Sequence, residues 1–289
     1  REVPGRTGNQ SEHQHRALVL HFQAGIQGVG KQPHITQGMT QANIQRVLLL
    51  AHGWGYNHRF FDPLVKALPN AMRETTLLAC LEAGYFDDQA PSGLMVYTEG
   101  EWIHHPLETL HSLVLAHANL PWLGLGHSLG FSKLLDFSVR WRNLFSVHGF
   151  NRFAANALQS EGTAPRVLDR MCRKAEQNLP EVLNEFHERC GFKTPFTTLN
   201  KEALMVDLHS MQTLDCATAL QAALSNGAEL FAWAGLQDKI VPLPLAQACF
   251  NEPLNNQGNQ LITLAAEHAE LARTPALYTG TLLPLLNTP

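Results

Sequence analysis

The sequence predicts an α/β protein with a mostly parallel central sheet flanked by helices. Short apolar runs alternate along the chain with segments whose apolar residues recur at helical spacing. This alternation is typical of parallel strands joined by covering helices. The pentapeptide Gly-His-Ser-Leu-Gly at 126–130 lies directly after one apolar run and before a helical pattern. Strands are predicted at 17–22, 45–51, 75–81, 120–126, 144–149, 229–234 and 260–265.

The composition fits a single globular domain. The chain has 289 residues, of which 45% are hydrophobic, and its net charge of −4 gives no electrostatic reason to expect nucleic-acid binding. The five cysteines are widely spaced without a C-x-x-C pair, which favours free thiols in a reducing compartment. His104 and His105 are neighbours that would point different ways on a strand, so they do not predict a metal site. We expect no metal and no cofactor.

The sequence carries few targeting or membrane-anchoring signals. No apolar stretch approaches the ~20 residues that span a membrane. Residues 1–16 hold almost no apolar side chains, which predicts a flexible tail without a secretory signal and hence a cytoplasmic protein. Residues 23–43 are rich in glycine and glutamine and predict a loop or a weak hairpin. Asp62 before Pro63 predicts the start of a helix.

Residues 152–205 interrupt the alternation of strands and helices. Apolar residues recur at helical spacing on both sides of Pro180, which predicts two helices between the sixth and seventh strands. The core would then consist of 17–151 and 206–289. Because a helix pair needs something to cover its apolar stripe, we interpret the insert as a lid. Spacing alone leaves a core face and a dimer face open as alternatives.

The pentapeptide at 126–130 has the G-x-S-x-G pattern of a serine held on a sharp strand-to-helix turn. Side chains at the glycine positions would crowd such a turn. Upstream, a buried-strand run ends in His-Gly-Trp-Gly at 52–55, a type of loop that donates an oxyanion-hole amide. Ser128, Asp238 and His268 each follow an apolar strand, in the order serine, aspartate, histidine. This order predicts a nucleophile, an orienting acid and a general base.

Other assignments of these roles are open. Asp207 and Asp215 compete for the role of the acid, and Asp238 is favoured because it lies just past a strand end. A turn residue is the alternative for Asp238, since aspartate favours turns. The backbone amides of Trp54 and Leu129 are the expected oxyanion donors.

In these motifs the chain resembles the α/β-hydrolases over roughly residues 44–285. The resemblance implies an α/β-hydrolase fold with a helical lid between strands 6 and 7. Within the family the chain is similar to the carboxylesterases that cleave a pimeloyl-carrier methyl ester in biotin synthesis. It implies a serine carboxylesterase that acts through an acyl-enzyme on a small-molecule or carrier-bound acyl ester. The motifs that carry the resemblance are His-Gly-Trp-Gly at 52–55, Gly-His-Ser-Leu-Gly at 126–130, Gly-Leu-Gln-Asp-Lys-Ile-Val-Pro at 235–242 and the stretch 206–215.

Two positions depart from the family pattern. Residues 81–86 read Leu-Glu-Ala-Gly-Tyr-Phe where many relatives carry Asp-x-x-Gly-x-Gly, and Phe131 replaces a common glycine. Both departures bear on the substrate and leave the fold prediction intact. A thioesterase or acyltransferase of the same fold is the second enzyme hypothesis, because other nucleophiles can open the same acyl-enzyme. A non-catalytic binding protein of this fold is the third.

Two sets of side chains bear on the substrate. One set is aromatic and is expected to line an apolar channel, with core packing as the alternative. The other is a basic stripe at helical spacing, which the resemblance would make a docking site for an acyl-carrier protein. Its alternative is pairing with Glu181, Glu185 and Glu188. The aromatic set is Trp54, Phe60, Phe150 and Phe153, and the basic stripe is Arg166, Arg170, Arg173 and Lys174.

Overall fold

The computed structural model describes residues 44–157 and 159–286. Within them a single sheet of eight strands runs in the order β4-β3-β2-β1-β5-β6-β7-β8. All neighbours from β2 to β8 in this order pair in parallel, whereas β3 and β4 form an antiparallel hairpin at one edge. The strands are β1 (Arg46–Ala51), β2 (Thr76–Glu82), β3 (Gly93–Thr98), β4 (Glu101–His105), β5 (Trp122–His127), β6 (Trp141–Val147), β7 (Glu229–Gly235) and β8 (Ile262–Leu264).

Helices connect the strands and flank the sheet. Two short 3-10 helices, His58–Phe61 and Glu270–Ala272, lie beside them. No helix of the described residues is long and apolar enough to cross a bilayer. The α-helices are α1 (Asp62–Ala67), α2 (Asn70–Thr75), α3 (Thr109–Ala116), α4 (Leu129–Leu134), α5 (Pro165–Cys190), α6 (Lys201–Ser210), α7 (Ala217–Ser225), α8 (Leu243–Asn255) and α9 (Ala276–Leu286).

The predicted parallel sheet is confirmed, and the hairpin at its edge was not predicted. The strand β4 is mostly exposed and lacks an alternating apolar pattern. Its turn, Glu99-Gly100, has positive φ at both residues (54° and 94°), which suits a two-residue hairpin loop. The predicted tail at 1–16, strand at 17–22 and loop at 23–43 lie outside the described residues.

The core lies around the central strands. Every residue of β1, β2 and β5 is buried, as expected for parallel strands covered on both faces. The free thiols that the sequence predicts are confirmed, since each cysteine is buried and unlinked. Because parallel strands end at one edge of the sheet, the residues that follow β1, β5, β6, β7 and β8 all lie at that edge.

The insert between β6 and β7 contains α5, which is broken near its middle. Asn178 leaves the helical region at φ −148° and ψ 76°, just before Pro180. The predicted pair of helices divided at Pro180 is therefore confirmed. Each half buries its apolar stripe, and Gly191 ends the second half in the left-handed region at φ 79°. The predicted boundary at 205 and 206 falls inside α6.

Close backbone approaches require the two glycines of the pentapeptide. A Cβ on Gly126 would lie 2.2 Å from Phe131 Cα, and one on Gly130 would lie 2.0 Å from Ala51 O. Both clashes are with backbone atoms, which no side-chain rotation relieves. Helix α4 can therefore pack against the ends of β5 and β1 only when these residues lack side chains.

We expect Gly130→Ala to lower the free energy of unfolding by about 3 kcal/mol, because overpacking forces backbone shifts. Gly280→Ala is the matched control, since Gly280 is exposed in α9 with no atom within 4 Å of its added Cβ. That substitution should stabilise the helix by ~0.5–1 kcal/mol. Urea denaturation measures both. Equal stability of Gly130→Ala and the wild type would contradict the close approach.

Candidate active site

Ser128 lies on the turn between β5 and α4. Its backbone has φ 54° and ψ −127°, a conformation that costs a non-glycine residue about 1–3 kcal/mol. Its N–H donates to Val147 O at 3.1 Å, which ties the turn to the end of β6. Ser128 is also one of the residues lining an apolar cavity. The strained turn therefore places a serine side chain beside this cavity, at the edge of the sheet where the parallel strands end.

The loop at 52–55 lies directly against this turn. A Cβ on Gly53 would lie 2.8 Å from Ser128 Cβ, so only a glycine allows the approach. The Trp54 indole N–H donates to Leu204 O at 2.8 Å, which fixes the loop against α6. Among the hydrogen bonds of residues 44–157 and 159–286, none uses the backbone N–H of Trp54 or Leu129. Within the described part of the chain, both predicted oxyanion donors thus have no hydrogen-bond partner.

Glu82 belongs to the unusual stretch at 81–86, and it fixes the start of the loop at 52–55. Its buried carboxylate accepts from His58 Nδ1 at 2.7 Å and from the backbone N–H of His58 at 3.0 Å. His52 Nε2 lies 3.4 Å from its other oxygen. Burial alone would raise the Glu82 pKa, but the charge of His52 and hydrogen bonds from both histidines hold it well below its ordinary value. The site therefore keeps a buried anion behind the loop.

Asp238 lies in the turn after β7 and satisfies both carboxylate oxygens. Oδ1 accepts from the backbone N–H groups of Ile240 and Val241, each at 2.8 Å. Oδ2 accepts from His268 Nδ1 at 2.8 Å and from His148 Nδ1 at 3.0 Å. Burial would raise the Asp238 pKa, but the charge of His268 and the two imidazole hydrogen bonds hold it well below its ordinary value. The carboxylate is ionised while it is buried.

His268 follows β8 and is completely buried. Its Nδ1 is held by Asp238, whereas its Nε2 is buried and has no hydrogen-bond partner in the described part of the chain. In particular, no hydrogen bond joins Nε2 to Ser128 there. Catalytic hydrogen bonds are often long in unliganded enzymes and tighten when substrate binds. The structure thus brings Asp238 and His268 together and leaves Nε2 as an unused acceptor.

His127 anchors the His268 loop to the residue next to Ser128. Its Nε2 lies 2.9 Å from His268 O and donates to that carbonyl. Its ring stacks on Phe60 with a centroid distance of 4.2 Å. Burial, together with the nearby His268 and His148, holds the His127 pKa well below its ordinary value, so the ring is neutral. His127 therefore packs beneath the turn.

The competing acids have other partners. Asp207 accepts from the Tyr85 hydroxyl and from Lys133 Nζ, and Asp215 pairs with Arg152. Neither forms a hydrogen bond with His268 among the described residues. These contacts bind α6 to α4 and to the segment after β2, and they bind the segment after α6 to the segment after β6.

The third histidine at the site, His148, was not predicted. It follows β6 with a positive φ of 51° and is completely buried. A local pattern gives little warning of it, because His148-Gly149 resembles an ordinary turn. Within residues 44–157 and 159–286, His148, Asp238 and His268 are the one group whose ligand-type atoms converge, all within 4.8 Å. The Nδ1–Oδ2 distances are those of hydrogen bonds, which the carboxylate needs in order to stay charged.

The cavity beside Ser128 has a volume of about 160 Å³. Its lining is mostly apolar and combines core residues with residues of the insert. Two exposed cations also line it, and Arg189 donates to Lys239 O at 2.7 Å. Of the predicted aromatic set, Trp54, Phe150 and Phe153 line the cavity, whereas Phe60 lies beneath the turn against His127. From the insert come Val167, Leu168, Met171 and Phe186.

The basic stripe on α5 is divided. Lys174 forms ion pairs with Glu185 at 2.6 Å and with Glu181 at 2.9 Å, as the intramolecular alternative predicts. The hydrogen bonds that Lys174 donates to Glu185 and Glu181 raise its pKa. Arg166, Arg170 and Arg173 are exposed, and no ion pair involves them in the described ranges.

Comparison with known proteins gives the fold. The chain matches no protein-family model and no curated protein. Solved structures resemble it over most of its length: an esterase from Exiguobacterium antarcticum (14% identity, TM-score 0.55, 85% of this chain and 93% of that one) and a bromoperoxidase from Bacillus anthracis (15%, 0.62, 85% and 93%). An enol-lactonase from Burkholderia xenovorans LB400 is similar at 14% identity (0.53, 86% and 94%). At these identities the likeness shows the fold alone. The chain has the α/β-hydrolase fold that its motifs predict.

A histidine of α5 ties the insert to the loop at 52–55, and its protonation should weaken the fold. His187 Nε2 donates to Gly55 O at 2.7 Å, and its buried Nδ1 has no partner in the described ranges. Burial lowers the His187 pKa to about 4 from an ordinary value of 6.5, so the folded state holds the neutral ring. Between these values only the unfolded chain takes up the proton, and stability falls as pH falls.

We therefore expect His187 to contribute about 1–2 kcal/mol to the loss of unfolding free energy between about pH 7 and pH 5. Urea denaturation at both pH values measures the loss. His187→Gln keeps a donor for Gly55 but cannot titrate, so its loss should be smaller than that of the wild type. His209→Gln, at an exposed position of α6, is the control and should behave as the wild type does. An identical pH dependence in His187→Gln and the wild type would refute this role.

Proposed function

We propose that this protein is a serine carboxylesterase that works through an acyl-enzyme. The observation that carries the proposal is the buried His268, whose Nδ1 is bound by an ionised Asp238 and whose Nε2 has no hydrogen-bond partner among the described residues. Ser128 lies on a strained turn one residue from His127, which holds the His268 carbonyl. A serine nucleophile, a histidine base and an orienting carboxylate are the components of nucleophilic acyl transfer.

The reaction follows from these positions. Ser128 Oγ attacks the ester carbonyl carbon while its proton passes to His268 Nε2, and Asp238 stabilises the imidazolium that forms. The tetrahedral intermediate expels the alcohol, which takes the proton from His268. Water then gives a proton to His268 Nε2 as its oxygen attacks the acyl-enzyme. The bond between the acyl carbon and Ser128 Oγ breaks, His268 returns the proton to Oγ, and the acid is released. The backbone N–H groups of Trp54 and Leu129 are the proposed donors to the oxyanion, each typically worth ~3 kcal/mol in the transition state.

The apolar cavity is the proposed acyl subsite. Trp54, Phe150 and Phe153 line it from the core, and residues of α5 line it from the insert. We accordingly assign the segment 152–205 as the lid of the site. The Trp54 ring supports this assignment, because it packs edge-on against Phe186 at a centroid distance of 5.0 Å. The esterases among the structural neighbours are consistent with the same chemistry.

Ser128→Ala should lower p-nitrophenyl-acetate turnover by about 10⁴-fold or more, because removal of the nucleophile leaves only binding and oxyanion stabilisation. A fluorophosphonate probe should label the wild type at Ser128 and leave the variant unlabelled. Ser225→Ala is the control, since Ser225 is exposed at the end of α7. Normal turnover in a folded Ser128→Ala would exclude the proposal, and absent labelling of the wild type would favour a non-catalytic binding protein.

Enlarging the cavity should shift the substrate preference. Phe153→Ala removes a ring that packs on Phe150 at 4.8 Å, and should raise the ratio of kcat/KM for longer over shorter acyl chains by about tenfold. The measurement is a p-nitrophenyl-ester series from acetyl to palmitoyl. The ratio is insensitive to the folded fraction, so loss of stability does not mimic the effect. Leu236→Ala, at an exposed position outside the cavity lining, should leave the ratio unchanged.

The carrier-bound methyl ester is the finer form of the proposal and rests on the sequence resemblance. The candidates for a surface of this protein that docks an acidic carrier protein are Arg166, Arg170 and Arg173, because Lys174 is already bound by two glutamates. Adding a free methyl ester, a carrier-bound methyl ester and a thioester to the same series separates the carrier esterase from a general esterase. A higher kcat/KM for the thioester would instead favour the thioesterase or acyltransferase alternative.

A further inference from the structure

Asp238 Oδ2 accepts hydrogen bonds from two imidazoles, and the proposed reaction uses only one of them. His268 Nδ1 lies at 2.8 Å and His148 Nδ1 at 3.0 Å from the same oxygen. On the far side of His148, Nε2 lies 2.7 Å from the Tyr278 hydroxyl. The side chains of His148, Asp238 and His268 are completely shielded from solvent. A continuous buried chain of polar groups therefore runs from α9 to His268.

The position of each proton in this series of hydrogen bonds follows from the chemistry of its groups. An ionised carboxylate only accepts, so both Nδ1 atoms carry hydrogens and donate to Oδ2. Burial lowers the His148 pKa despite the hydrogen bond and charge of Asp238, so His148 is neutral and its Nε2 has no hydrogen. The Tyr278 hydroxyl consequently donates to Nε2. Burial also raises the Tyr278 pKa above its ordinary value, so the hydroxyl keeps its proton.

We propose that His148 is a positioning residue that, backed by Tyr278, holds the Asp238 carboxylate and thereby sets the basicity of His268. This inference rests on the proposed esterase function. A donor on Oδ2 fixes the carboxylate's rotation and takes up part of its charge. Less of that charge is then left to stabilise the His268 imidazolium, so His268 gives up its proton at a lower pH than it would beside a carboxylate with one imidazole donor.

The strained backbone of His148 supports a specific role. A φ of 51° is a cost that the surrounding packing must offset. A Cβ on Gly235 would lie 2.7 Å from His148 Cε1, so β7 lacks a side chain where the ring passes. The backbone N–H of His148 donates to Trp233 O at 2.9 Å, which places the ring at the end of β7 beside Asp238. The end of β7 is thus shaped around this imidazole.

The other titratable groups near the cluster do not change the direction of the effect. His127 is neutral because burial lowers its pKa, and the Cys190 thiol and the Tyr56 hydroxyl are neutral because burial raises theirs. The Glu270 carboxylate acts on both His148 and Tyr278 and is bound by Thr274 Oγ1 at 2.7 Å. Arg273 and Glu267 form the ion pair next to it. Burial is the largest cause of the His127, Cys190 and Tyr56 pKa shifts, so a substitution at His148 leaves these three groups neutral.

Three variants separate positioning from simple space filling. His148→Phe keeps a ring but removes both nitrogens. His148→Asn keeps an N–H donor near the Nδ1 position and tolerates positive φ, but it loses the link to Tyr278. Tyr278→Phe removes the hydroxyl alone. Each is measured as kcat and KM for p-nitrophenyl acetate across the pH range, with circular dichroism to establish that it is folded.

We expect His148→Phe to lower kcat by about tenfold with little change in KM, because a carboxylate that has lost one of its four donors aligns the base less well. The acid limb of its kcat/KM profile should move to higher pH by about half to one unit, since His268 becomes more basic. His148→Asn should restore most of both quantities. Tyr278→Phe should fall between the wild type and His148→Phe. A folded His148→Phe with the wild-type profile, or a His148→Asn as impaired as His148→Phe, would overturn the proposal.

A second measurement does not depend on esterase activity or on the stability of His148→Phe. Proton NMR of the wild type should show two far-downfield imidazole N–H resonances, one from each Nδ1 that donates to Asp238. His148→Asn should retain only one of them. A single resonance in the wild type would overturn the shared carboxylate, whereas two resonances with no ester turnover would contradict the proposed function alone. Loss of activity on dialysis against a chelator, restored by zinc, would show that these residues bind a metal instead.

Discussion

A buried carboxylate is stable only when its charge is matched by donors, and Asp238 is the point where this requirement organises the site. Two of its donors are amides of its own turn, and two are imidazoles that follow β6 and β8. The side chains that follow β6 and β8 must therefore lie within hydrogen-bond distance of Asp238, which follows β7. The pairing of β6, β7 and β8 and the bare Gly235 allow this approach. Removal of a single donor would leave the anion partly unsatisfied at a cost of about 1–3 kcal/mol.

A second buried carboxylate serves the other side of Ser128 by the same physical means. Glu82 accepts from the backbone N–H and the imidazole Nδ1 of His58, and His52 Nε2, at the start of the loop that carries Trp54, lies 3.4 Å from its other oxygen. Asp238 fixes the loop that carries His268. The serine lies between two segments that are each held by an ionised acid, so the proposed oxyanion donor and the proposed base are set before a substrate arrives. Such preorganisation is the main source of electrostatic stabilisation in enzymes.

Local patterns predict the parallel sheet, the broken α5 and the order of Ser128, Asp238 and His268, because each depends on a run of neighbouring residues. His148 depends on Asp238 and Tyr278, which are 90 and 130 positions away, so no window of sequence contains its partners. Aromatic residues show a similar limit. Phe60 and Phe153 are equally apolar, yet one stacks on His127 and the other lines the cavity. The exposed β4 lacks an apolar alternation and is defined by its pairing with β3.

The reactivity of the five buried thiols can report where the folded molecule opens locally. They lie in β2, in each half of α5, just before α7 and in α8, and burial raises the pKa of every one. A thiol reagent attacks the thiolate, so each cysteine reacts only when its own surroundings separate and let solvent in. The order in which the cysteines become modified would therefore rank the sheet, the two halves of the insert and the outer helices by their opening free energies. Comparing the order with and without an active-site ligand would show which of these regions a bound acyl group holds shut.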